Sequence, residues 1–410
     1  MAFSKTQIII LSAVGFIVFL SALVFFGILP GLRSREPEIT FSFWGVADEE
    51  SVFETMLQEY KKIAPRTTVE YRKFSPVNYE GILIDALAAG EGPDIFMFHS
   101  SWLEKHGNKV APFPKELIDI PKLRELFPQV VEQDFVSENK IYALPLSIDT
   151  LALYHNRDIF DRRAVALPPQ TWQEFRNIAF NKKVNTDFGG DSSTASQAKD
   201  VISLLMLQAG AKMTTDDFKK ASFANEAGLR ALNFYSQFNP SARNSLEGFS
   251  AGEIGMLFEY QAAKDSLASR NPFLNFTVTA TPQFDKDSPV NFASYYGLAV
   301  AKKSNMPSVK KTKAWELAAF LATNEAVAEN YLKASSRPPA LRSLIKKYLD
   351  HPELGVFARQ ALTARSWKQP DPDAVTAIFD NMIKSVKSKT LSPSDALRQA
   401  ENQVSALLSR

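Results

Sequence analysis

An α/β fold is what this sequence predicts, on three observations. Strand-like and helix-like segments alternate from residue 39 onward, as in a sheet covered by helices. The 410 residues, 45% hydrophobic and 22% charged, suffice for two or three structural domains that need no metal or disulfide staples. The one long charge-free run, Ile8–Leu29, precedes the alternating part and stands apart from it.

The elements follow in order. Ile39–Trp44 is a short, mostly apolar run, fit for a buried parallel strand. Glu49–Ile63 carries a helical stripe through Val52, Phe53, Met56, Leu57, Tyr60 and Ile63. Thr67–Phe74 returns as a strand, Asn78–Ala89 is a helix capped at Gly90, and Asp94–Phe98 is the third strand. Ala111–Pro128 is a proline-rich loop with short helical pieces. Lys140–Ser147 and Leu151–Tyr154 are strands flanking Asp149. Thr171 and Glu174 form a capping box that opens a helix. Ile254–Glu259, Asn275–Ala280 and Phe292–Ala301 are further strands. From Lys310 the chain is mainly helical, with breaks at Ser335–Pro339 and Gln369–Pro372.

Ile8–Leu29 has 22 residues, and about 20 apolar residues cross a bilayer core. A cleaved secretory signal has a shorter apolar stretch, of roughly 7–15 residues, ending at small residues. Here Val24, Phe25, Phe26, Ile28 and Leu29 follow the small pair Ser21-Ala22, which predicts an uncleaved anchor. Residues 1–7 then lie in the cytoplasm, 8–29 in the membrane, and 30–37 form a tether to an extracytoplasmic part. Lys5 on one side and Arg33 and Arg35 on the other leave the positive-inside rule nearly balanced.

Formal net charge is +2, which does not suggest a nucleic-acid partner. No cysteine is present, so disulfides, thiolate metal sites, a cysteine nucleophile and a lipid-modified cysteine are excluded. The four histidines show no His-Glu-x-x-His pattern, and neither a metal nor a cofactor is expected. A Gly-x-Ser-x-Gly elbow, a phosphate loop and a dinucleotide fingerprint are all missing, so the chain reads as a non-enzyme. Asp48 and Glu49 stand where a helix begins and read as N-terminal charge.

The aromatic residues point elsewhere. In an open α/β sheet, ligands bind outside the carboxyl ends of strands. Trp44 ends the first strand, near Asp48, and Trp102 follows the third, near His99 and Ser100. Tyr260 follows a later strand, Tyr295 and Tyr296 lie just inside another, and Trp367 is in a proline-flanked loop. Flat aromatic faces with carboxylates and amides beside them suit a sugar, although each ring alone also suits a core. Trp172 and Trp315 lie inside helices and are assigned to packing.

Several of these segments together resemble the extracellular solute-binding protein family 1, the maltose-binding-like receptors of ABC importers. GEGPDIFMFHSSW (Gly90–Trp102), KIYALPLSIDTLALYHNRDIF (Lys140–Phe160), PPQTWQEF (Pro168–Phe175) and FSAGEIGMLFEY (Phe249–Tyr260) occur in family order. NFASYYGLAVAKKS, AWELAAFLAT and RPPALRSL complete the set. The resemblance implies two α/β lobes of the type II periplasmic-binding fold, with three hinge crossings and ligand between the lobes. It implies a first lobe of 38–147 with 280–322 and a second of 150–278 with 325–410. It also implies a monomer that passes a small molecule, most simply a sugar, to a permease. Trp44, Asp48, Asp94, Trp102, Asp149, Tyr260 and Trp367 match positions where relatives contact ligand. Asp94 reads equally well as a structural cap. A sensory receptor of the same fold, a peptide or polyol receptor, and a glycan-active enzyme are the alternatives. The apolar anchor departs from the family's usual lipidated cysteine, yet would equally hold the receptor near its permease.

Overall fold

In the computed structural model, residues 12, 14–19, 23, 38–188, 196–238, 245–303 and 305–409 are described. Most of the expected anchor Ile8–Leu29 and all of the tether therefore lie outside the described residues. The part of the anchor that is described is helical, and among the described residues no helix is long and apolar enough to cross a membrane.

Apart from the two-residue antiparallel pair Val136–Ser137 and Lys140–Ile141, the strands in chain order are β1 (Ile39–Val46), β2 (Thr67–Phe74), β3 (Ile95–His99), β4 (Leu144–Pro145), β5 (Ala152–Asn156), β6 (Thr186–Asp187), β7 (Met256–Glu259), β8 (Phe276–Thr279), β9 (Asn291–Phe292), β10 (Tyr296–Val300) and β11 (Ala364–Arg365). The first sheet has the order β2-β1-β3-β10-β4. Its β1 is parallel to β2 and β3, and β10 runs antiparallel to β3 and β4. The second sheet has the order β8-β5-β7-β6, with β5 antiparallel to both neighbours. β9 and β11 form a separate parallel pair.

Each sheet has its own core. Phe41, Phe43, Phe53, Phe96, Phe98 and Leu298 belong to the first, and Leu153, Trp172, Phe175, Phe258, Val375 and Phe379 to the second. Helix α1 (Glu50–Ile63) fills the first core with Val52, Phe53, Met56 and Tyr60, the stripe read from its sequence. Helix α2 (Pro76–Ala89) ends at Gly90, whose φ of 79° is the left-handed value that a glycine adopts without strain.

The chain passes between the cores three times: Ile148 to Leu151, Phe292 to Ala293, and Ala364 to Trp367. Gln360, just before the third crossing, is bonded to the first crossing and to Thr281. Its Nε2 donates to Thr150 Oγ1 and Leu151 O, each at 2.9 Å, and its Oε1 accepts from the Thr281 amide at 3.0 Å.

Two sequence expectations change here. The strand expected over Phe292–Ala301 divides into β9 and β10, because its middle is a crossing: the Ser294 amide donates to Asp149 O and Tyr295 O accepts from the Ser100 amide. The expected boundary at residue 325 also shifts. Val327, Tyr331, Leu344, Ile345 and Ala358 pack in the first core, not the second. Tyr331 explains why, since its ring lies 5.8 Å from that of Phe53 and its hydroxyl donates to Asp48.

Candidate ligand cleft

The site grows from strand ends. β3 ends at His99, and the chain turns at Ser100–Ser101. His99 Nδ1 is 2.8 Å from Ser101 Oγ and Nε2 is 3.1 Å from Ser294 Oγ. Burial, with the Lys199 charge nearby, pushes the His99 pKa down to about 3, so the ring is neutral. Both ring nitrogens already have hydroxyl partners.

The second lobe supplies the facing groups. Tyr260, just past β7, donates its hydroxyl to Asp200 Oδ2 at 2.8 Å. Burial raises the Tyr260 pKa well above its ordinary value, and Asp200 adds to this. Asp200 and Lys199 lie in the first turns of helix α3 (Ser196–Gln208) and are 4% and 5% exposed. Lys199 Nζ is 3.1 Å from Gln369 Oε1 and 3.5 Å from Asp200 Oδ1. A lysine this deeply buried needs such partners. Burial raises the Asp200 pKa, against the opposing pull of Lys199 and the Tyr260 hydroxyl.

Between these groups lies a cavity of 90 Å³, with His99, Ser101, Lys199, Asp200, Ser294 and Trp367 among its walls. Trp367 is held flat: its ring lies 6.0 Å from that of Phe379 at 18°, and Nε1 donates to Ser203 Oγ at 3.3 Å. Ser100 lines the cavity as well.

Asp149 stands at the first crossing. Its Oδ1 accepts from the Thr150 amide at 2.9 Å and the Gln261 amide at 3.1 Å. Burial raises its pKa to about 6, opposed by the Gln261 amide and by Arg337. Asp48 follows Ala47, whose φ of 65° is strained for a residue with a Cβ, and such strain gathers at functional turns. The Asp48 carboxylate receives the Tyr331 hydroxyl at 2.8 Å and the Arg337 guanidinium at 3.1 and 3.3 Å. Burial would lower the Arg337 pKa, but Asp48, Tyr331 and Asp149 outweigh it and raise it.

Some expected site residues lie elsewhere. Asp94 is corrected. It precedes β3, about 16 Å along the strand from His99 at 3.3 Å per residue, and is bound by Lys303 at 3.0 Å and Lys310 at 2.8 Å. Its role is to tie β3 to β1 through the Ser42 amide, also at 3.0 Å. Trp102 is 5% exposed and lies inside a ring cluster with Tyr79, Phe98, His106 and Tyr296. Tyr295 is buried in the first core against Phe135. Trp44 is half-buried on Phe74, and neither Trp44 nor Trp102 forms a wall of the cavity. Tyr296 touches the site only through the edge of His99, at 4.8 Å. Trp172 and Trp315 are both 1% exposed, in the cores.

Sequence reasoning missed Lys199, Asp200, Ser294, Arg337 and Gln369. Charged residues at a helix start read as solvated, and no local pattern reveals that Lys199 and Asp200 are buried. Among the described residues, no group of three His, Asp or Glu side chains could hold a metal.

Comparison with known proteins agrees with this architecture. Residues 45–328 match the family model for bacterial extracellular solute-binding proteins. The galactooligosaccharide-binding protein of Bacillus subtilis (strain 168) is 23% identical over 352 residues, 76% of each chain. The cyclic alpha-maltosyl-1,6-maltose binding protein of Arthrobacter globiformis superimposes with a TM-score of 0.76 at 18% identity, covering 91% of this chain and 100% of its own. The sugar-binding protein MalE of Xanthomonas citri also reaches 0.76, at 17% identity, with coverage of 90% and 98%. The fold is thus shared with solved structures, and the chain belongs to the bacterial extracellular solute-binding protein family.

Proposed function

We propose that this chain captures a carbohydrate between its lobes and delivers it to an ABC importer, without chemical turnover. The observation that carries this reading is the wall of the junction cavity. Trp367 offers a fixed flat face, and His99, Ser294, Asp200, Lys199 and Gln369 offer donors and acceptors around it. Such a mixture suits a ring with an apolar C–H face and hydroxyl edges. Asp149 stands at the first crossing, close enough to Arg337 for that charge to lower its pKa. The names of the relatives, which bind galactooligosaccharides and cyclic maltosyl-maltose, point the same way.

The test is a thermal-shift screen of the full chain in detergent against monosaccharides, oligosaccharides, polyols and short peptides. A ligand that binds only the folded state adds about 2.7 kcal/mol of apparent stability at a hundredfold excess over its Kd. Stabilisation by carbohydrate is expected; stabilisation by peptides alone would overturn the reading.

The same proposal includes Ile8–Leu29 as an uncleaved membrane anchor with the lobes outside the cytoplasm. Its support is apolar length. Protease added to intact cells should shave the lobes from the membrane. A mature chain that begins near residue 30 and washes off would overturn this part.

A further inference from the structure

The strand directions define a base on the first lobe, at the end opposite the cleft. β1 begins there: the Ile39 amide donates to Arg66 O at 3.0 Å, just after α1 ends. β3 also begins there, at Ile95, just after Asp94. β10, antiparallel to β3, ends there with Val300 opposite Ile95. The Lys302 amide then donates to Lys109 O at 2.8 Å.

This base is basic. Lys61, Lys62, Arg66, Lys109, Lys302, Lys303 and Lys310 belong to segments that begin or end at it, against Glu38, Glu59, Glu91, Asp94 and Glu316, whose charge reaches Tyr60. Asp94 is shared by two of the lysines, Lys303 and Lys310, so that cluster keeps a net positive charge. Lys62 pairs with Glu59 at 2.6 Å, and both Lys61 and Lys302 are exposed. Two bare apolar side chains, Ile63 and Val309, stand among them, each 65% exposed. Lysines around exposed aliphatic groups are the composition of a surface that meets a lipid interface.

We propose that this base docks on anionic phospholipid headgroups. The proposal rests on the anchor reading above. Residues 30–37 are the only chain between the apolar run and the base, and at full extension they reach about 28 Å. Arg33 and Arg35 lie within that span. The base is the face where the chain enters the lobe, so the tether keeps it nearest the bilayer. Charges act there over about 8 Å at physiological salt, so the lysines must approach closely to contribute. The cleft, at the far end of β3, then faces away from the lipid and stays open to solute.

The experiment reconstitutes the full chain in phosphatidylcholine vesicles, with and without phosphatidylglycerol, and follows amine labelling lysine by lysine. Lys212 and Lys219, exposed on the second lobe, are the references. In the anionic vesicles, labelling of Lys61 and Lys302 should slow by about threefold or more relative to the references. The effect should vanish in phosphatidylcholine alone. It should also vanish near 1 M salt, where screening shortens to about 3 Å. The Lys61→Glu/Lys302→Glu variant spares the Asp94 pairs. It should keep the wild-type melting temperature and lose the slowing at Lys109. Equal labelling in both vesicle types, with the chain still floating with them, would overturn the docking surface and leave the anchor standing. A chain that floats with neither vesicle type would overturn the anchor reading, and the docking surface with it.

Discussion

Trp367 and Trp102 show how two tryptophans of equal burial can serve different ends. Both are about 5% exposed, yet Trp367 presents a face to the cavity while Trp102 is enclosed by other rings. Trp367→Ala should weaken carbohydrate binding by one to two decades, from the roughly 1–3 kcal/mol of apolar contact removed. Trp102→Ala should instead cost about 3–5 kcal/mol of stability, with smaller effect on affinity. Paired calorimetry and denaturant melts check both, and a large affinity loss at Trp102 with unchanged stability would return it to the site.

Asp149 makes a sharper electrostatic case. Its folded pKa of about 6 lies above the ordinary carboxylate value, so the folded state binds the extra proton. Stability from this group is therefore present below about pH 4 and is lost as pH rises through about 6. Asp149→Asn keeps the oxygen that accepts from Thr150 and Gln261. The ligand-free variant should be more stable than wild type at pH 7 by an amount on the order of 2–3 kcal/mol, a gap that closes toward pH 4. Its ligand affinity should fall, because a charged acceptor becomes a neutral one. His99 works in the opposite sense. Its pKa is lowered to about 3, so its contribution is full above about pH 6.5 and is lost as pH falls toward 3.

At the scale of elements, local chemistry sets some boundaries and the hinge sets others. Thr171 accepts from the Glu174 amide at 3.2 Å, and Glu174 Oε2 accepts from the Thr171 and Gln170 amides. This box starts the helix Trp172–Asn181, and Thr171→Ala should cost about 1 kcal/mol in a urea melt. Gln360 has no such local signature. It is 2% exposed and joins the first crossing to Thr281, four residues before its own chain reaches the third crossing. Gln360→Ala strands the Thr281 amide and Leu151 carbonyl, each at a cost of about 1–3 kcal/mol. The expected result is a lower melting temperature and a changed ligand affinity together, because the crossings both carry the lobes and position Asp149. Loss of stability alone would show that Gln360 is structural only.

For the molecule as a whole, the cavity volume is the deciding quantity. Small-molecule sites usually occupy about 300–1,000 Å³, whereas the junction holds 90 Å³, room for a few water molecules. On the proposed reading, a sugar enters with the lobes parted and is enclosed as they approach, by bending at the crossings. Small-angle scattering should give a smaller radius of gyration with saturating ligand than without it. An unchanged radius would mean that ligand enters without lobe motion.

The sequence by itself determined the α/β alternation, the helix starts, and the strand ends near which His99 and Tyr260 lie, because these follow from residue periodicity and capping within one segment. Asp149 was legible as a hinge residue because strand patterns flank it on both sides. Tertiary structure alone decided the rest. Helix α4 (Glu325–Ser335) has an amphipathic face that suits either lobe, and only contact of Tyr331 with Phe53 and Asp48 assigns it to the first. Asp94 and His99 stand at opposite ends of a strand that the sequence shows, but only the structure brings Lys303 and Lys310 to the first and the cleft to the second. Lys199 and Gln369 are 170 positions apart and meet only because the third crossing brings them together. Periodicity reports which face of an element is buried; it carries no information about which distant element buries it.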